Sequence, residues 1–87
     1  MLKGVKRIIM LEREIKVGQL YKHFKGHIYR VIGVAKDCEN LKEKVVYENV
    51  DTFELWIRDK EDFLSYVDKD KYPNVEQKYR FELIKED

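Results

Sequence analysis

The sequence predicts a mainly β fold, a small SH3-like barrel of five to six strands with one short helix before the last strand. Three observations predict it. Short runs of alternating apolar and polar residues recur at close spacing from Gly18 onward, and turn residues separate them. The 87 residues suffice for one domain only. Closing such a sheet, or nearly closing it, covers strand edges that would otherwise be exposed.

Residues 1–15 read as an N-terminal arm, in which Val5–Leu11 could add a further strand because Ile and Val favour extended backbone. Residues 16–87 read as the single barrel domain. Gly18 marks a turn. Leu20–Lys25 alternates, with Leu20 and Phe24 on one side and Tyr21, His23 and Lys25 on the other. Gly26-His27 is a tight turn, since Gly26 can take positive φ. His27–Ala35 is the longest strand expected. In it Tyr29, Val31 and Ala35 share one face, and Gly33 points to a bulge or barrel bend.

Asp37–Lys44 is a polar connection, Lys44–Asn49 a strand, and Asn49–Thr52 a turn. Phe53–Arg58 alternates cleanly, which places Phe53, Leu55 and Ile57 inward and Glu54, Trp56 and Arg58 on the opposite side. Asp59 and Asp62 resemble the start of a helix with a capping box, and Phe63, Leu64, Tyr66 and Val67 form its apolar face. Residues 68–77 form a polar loop interrupted by Pro73. Lys78–Ile84 is the last strand, with Tyr79, Phe81 and Leu83 on one face.

The formal net charge of +1 hides an asymmetry. Residues 1–36 hold nine Lys/Arg against two Asp/Glu, a net of +7, whereas residues 37–87 hold nine against fifteen, a net of −6. The basic part could attract anions, and the acidic part would repel a long polyanion. The single cysteine, Cys38, excludes an intramolecular disulfide. With no signal-peptide core and no apolar run long enough to span a bilayer, the expected location is the cytoplasm, with no membrane partner.

The same segments resemble a known family. Gly18, Tyr21, His23, Phe24, Lys25, Gly26, Tyr29 and Val31 stand in one block. Ala35 and Glu39, Val45-Val46-Tyr47, Leu55-Trp56-Ile57-Arg58, Phe63 and Arg80-Phe81 follow in order. This series is similar to the bacterial and phage family catalogued as domain of unknown function 1653, over roughly residues 16–83. Three positions depart from it: Asp37 in place of histidine, Asn40 in place of threonine and Asp59 in place of proline. The resemblance implies a compact barrel and no particular activity.

Trp56 and Arg58 lie two apart on one strand and so share a face, where they could stack a flat ligand and clamp a phosphate or carboxylate. Tyr21, His23 and Lys25 make a similar mixed face. With Tyr29, Glu39 and Tyr47 they form the expected ligand-binding set. In it Trp56 or Tyr29 stacks, Lys25 and Arg58 hold the anion, and Glu39 or His23 reads polar edges. The plainer alternative is that Trp56 closes the core and Arg58 pairs with an acidic neighbour.

No catalytic triad, phosphate loop or metal box is legible. His23, His27, Asp37 and Cys38 lack metal-ligand spacing, and residues 68–79 lack the glycine and the glutamate of a calcium loop. The expectation is a non-enzymatic binding module without a cofactor. It takes a small anionic, nucleotide-like ligand and could act by sequestering a signal. The alternative is a nucleic-acid- or protein-binding adaptor using the same face. A chain this short also gains from association, so a homo-oligomer is a further expectation.

Overall fold

Five antiparallel strands and one helical turn make up the computed structural model, which describes residues 13–85. They are β1 (Leu20–His23), β2 (Ile28–Lys36), β3 (Glu43–Asn49), β4 (Leu55–Asp59), α1 (Lys60–Phe63) and β5 (Phe81–Leu83). The strands form one sheet in the order β4-β3-β2-β1-β5. The expected strand over Val5–Leu11 lies outside the described residues.

The sheet does not close as a barrel, because no ladder joins β4 to β5. Other parts of the chain span that gap. After α1 the backbone runs beside the residues that precede β5, with Arg80 N–H donating to Ser65 C=O, Val67 N–H donating to Lys78 C=O, and a bridge between Tyr66 and Tyr79. Phe63 of α1 and Phe81 of β5 stack across the gap, ring centroids 4.1 Å apart and nearly parallel. Tyr21, Val31, Val45, Tyr47 and Val67 complete the buried core with these two rings.

The two expected glycine turns form as their backbone demands. Gly18 has φ +86° and Gly26 has φ +107°, a region that side chains with a Cβ adopt only under strain. The expected irregularity in β2 is also present. The register against β3 shifts between Val31 and Gly33, leaving Ile32 as the extra residue of a bulge. The bulge corrects the reading of the strand's far half: it reverses the alternation, so Val34, itself 39% exposed, falls on the side of Val45 and Ala35 on the other.

Three more expectations are corrected. The inward row expected on β4 is its outward row: Leu55 is 64% exposed and Ile57 63%, whereas Arg58 stands opposite buried Val45 and Trp56 opposite buried Tyr47. Strict alternation divides a strand into two faces but does not say which face the rest of the chain covers. The capping box does not form, because Asp59 is paired with Lys44 and Asp62 with Arg58. The last strand is reduced to Phe81–Leu83, since residues 78–80 pair with the chain after α1 instead.

Candidate ligand-binding face

β1, β2, β3 and β5 all turn aromatic residues to the concave side of the sheet, and the ladders fix their order. Tyr21 stands opposite Tyr29 and Leu83, His23 opposite Phe81, Tyr29 opposite Asn49, and Tyr47 opposite both Val31 and Trp56. Opposed residues share a face, so these side chains form one continuous surface. Phe81 sits at its centre. The rings of Tyr47, Tyr29 and His23 meet it edge-on at 5.3, 5.8 and 4.9 Å between centroids. Accessibility along it is uneven: Tyr47 is buried, Tyr29 is half-buried, and Trp56, the only tryptophan, is 49% exposed.

Arg58 edges this aromatic surface. Its Nε donates to the Tyr47 hydroxyl at 3.2 Å and its Nη1 to Asp62 at 2.6 Å, with the guanidinium 5.6 Å from the Phe81 ring. Burial works against the charge on Arg58, but the bonds it donates to Tyr47 and Asp62 outweigh it and the pKa is raised. Arg80 approaches the same carboxylate, its Nη2 3.8 Å from Asp62, while its Nε donates to Ser65 Oγ at 3.2 Å. Two guanidinium groups thus share one carboxylate and leave a net positive charge beside the rings.

His23 registers that field. Its pKa falls to about 4, through burial first and then through the positive charges of Arg58, Arg80 and Lys25. Its Nδ1 accepts the Lys25 N–H at 3.1 Å, so the neutral ring carries its proton on Nε2. The ring offers a donor and no charge at neutral pH.

Four of the expected site residues border the accessible part of this face, His23, Tyr29, Trp56 and Arg58, while Tyr47, only 4% exposed, is a core residue whose hydroxyl accepts from Arg58. The other three do not. Tyr21 is a core residue, 2% exposed, whose hydroxyl accepts the Lys16 N–H. Lys25 lies past the end of β1, with its ammonium 5.5 Å from the Tyr72 ring. Glu39 is exposed in the β2–β3 loop. Alternation alone drew Tyr21 and Lys25 into the set, but β1 ends at His23 and its concave side is core at Tyr21. Sequence reasoning missed Asp62 and Arg80. The spacing of Arg58 and Asp62, four residues across the β4–α1 junction, was one available signal, and the Arg80-Phe81 pair was the other.

Two surface depressions lie elsewhere, both lined by Glu43, Lys60 and Glu61, and neither includes Trp56 or Arg58. The aromatic-cationic site is an open face. Among the described residues no helix is long and apolar enough to cross a membrane.

Residues 19–83 match the family described as protein of unknown function, DUF1653, and the chain belongs to that family. No curated protein and no solved structure matches it.

Proposed function

We propose that this member of a family without an assigned activity is a non-enzymatic binding module for a nucleotide-like anion. The base lies on Trp56 and the phosphate meets Arg58 and Arg80. One observation carries this reading: a half-exposed tryptophan shares a sheet face with an arginine whose guanidinium is already oriented by Tyr47 and Asp62. Orientation in advance lowers the entropy cost of gripping a phosphate, and every base offers a face for stacking. Tyr29 and the Nε2–H of His23 lie farther along the same face, beyond Tyr47. The strand order matches an SH3-like barrel left partly open, the finer fold reading that we retain.

The openness of the face favours a second reading, in which the nucleotide belongs to a longer strand. No described residue encloses a ligand at this site, so one nucleotide gains a single stacking contact, worth about 1–3 kcal/mol. The sole tryptophan makes the test direct. Its fluorescence is titrated with a panel of mononucleotides and short oligonucleotides at two salt concentrations. Saturable quenching that Arg58→Gln weakens roughly tenfold supports the module. A steep fall with salt, confined to the oligonucleotides, selects the strand-binding reading. No quenching and no heat of binding from any of these ligands overturns both.

A further inference from the structure

We infer that two copies of the chain pair through β4, edge to edge and antiparallel about a two-fold axis at Trp56. The inference starts from the ladder. Asn49 N–H donates to Glu54 C=O, so Glu54, Trp56 and Arg58 turn their backbone groups toward β3. The N–H and C=O groups of Leu55 and Ile57 then point away from the sheet, and no described residue pairs with them.

Natural edge strands carry protection such as a lysine, a proline, a bulge or a covering segment. The Leu55-Trp56-Ile57 run has none of these among the described residues, and all three side chains are exposed. On the outer face Leu55 and Ile57 continue an apolar strip with Ile32 and half-buried Val46.

The register follows from complementarity. An antiparallel pair about Trp56 sets Leu55 opposite the second copy's Ile57, and Ile57 opposite its Leu55, both in hydrogen-bonded positions. Trp56 meets the second copy's Trp56 in a non-hydrogen-bonded position, where side chains approach most closely. Glu54 falls opposite the second copy's Arg58, twice over, so that each Glu54 faces a guanidinium already held by Asp62 and no like charges meet. Moving the register by two residues in either direction breaks this pattern. In one direction Leu55 faces Asp59, and in the other Arg58 faces the loop. A second copy of β4 is thus matched in hydrogen bonding, apolar contact and charge. An interface this short buries less than the roughly 1,000 Å² of a permanent one, so the dimer is reversible and depends on concentration.

The experiment is sedimentation velocity on the full chain across a concentration series, with two variants. The wild type shifts toward twice its 10.6 kDa mass as concentration rises. Ile57→Lys sits on an exposed face, so the circular dichroism spectrum is retained, while the dimer dissociation constant rises roughly 100-fold. In a Cys38→Ser background, mild oxidation of Trp56→Cys gives a disulfide-linked dimer, because the two Cα atoms of a non-hydrogen-bonded pair lie about 4.5 Å apart. A wild type that stays monomeric at every concentration overturns the inference. So does a dimer indifferent to Ile57→Lys, or one that is lost only when residues 1–12 are removed.

Discussion

The two edges of this sheet are built in opposite ways. At β5 the register turns the carbonyl of Phe81 away from β1, as the paired positions Phe24–Arg80 and Ile84–Leu20 show. The chain covers that group with its own side chain: Arg13 Nη1 donates to Phe81 C=O at 2.9 Å and Nη2 to Leu64 C=O at 3.0 Å. The guanidinium lies 3.7 Å above the Tyr79 ring, which in turn stacks on Tyr66. At β4 nothing comparable is present among the described residues, and the exposed side chains are apolar. One edge ends the sheet, and the other is free to continue it. A substitution at β5 should therefore act on folding, and one at β4 on what the protein meets.

The largest effect is expected where the closed edge meets the core. Phe81→Ala removes the ring that Phe63, Tyr47, Tyr29 and His23 all touch. It should cost about 3–5 kcal/mol in chemical denaturation, a large part of the stability of a domain this small. Arg13→Ala should follow at about 2–3 kcal/mol, since it strips two carbonyls of charged donors and uncovers Tyr79. A denaturation midpoint unchanged in Arg13→Ala would show that the β5 edge needs no cover. At β4, Leu55→Ser should shift the stability of the monomer by no more than about 0.5 kcal/mol, measured below the concentration at which copies associate.

The hairpin leading into β4 allows a gain. Phe53 has φ +65° and is 71% exposed, so a bulky side chain occupies a left-handed position without burying its ring. Leu41 holds the equivalent place in the β2–β3 hairpin, with φ 63° and its N–H donating to Asp37 C=O as Phe53 N–H donates to Asn49 C=O. Phe53→Gly should raise stability by about 1 kcal/mol, read as a higher thermal midpoint. A lower midpoint would mean that the Phe53 ring makes contacts outweighing its backbone strain.

What could be read from the sequence follows the same division. The succession of strands along the chain, the turns at Gly18 and Gly26 and the break near Gly33 were legible because local chemistry dictates them. That Trp56 and Arg58 share a face was legible from period two. Which face of β4 lies inside was not, because the answer depends on where α1 and Phe81 come to rest, far along the chain. Tyr21 shows the same limit: its hydroxyl suggests a rim residue, yet the Lys16 N–H satisfies it inside the core. Asp59 and Asp62 look like capping groups until Lys44 and Arg58, brought close by the ladder, take them.

A pH-dependent effect concerns His23, at the junction of the closed edge and the binding face. Burial and the charges of Arg58, Arg80 and Lys25 lower its pKa to about 4, from about 6.5 in the unfolded chain. Because the folded state holds the neutral ring, the unfolded chain binds the extra proton first as pH falls. The stabilising contribution is complete above pH ~6.5 and is lost between there and pH ~4. The ring is only half-buried and solvent screens its neighbours, so the loss should be about 1 kcal/mol. The two proteins share every other group, so the difference between wild type and His23→Gln isolates this residue. Denaturation at a series of pH values should show the wild type losing more stability than His23→Gln across that window. Parallel curves would place the cations around His23 too far away to act on it, and would weaken the case for a positive face at Arg58 and Arg80.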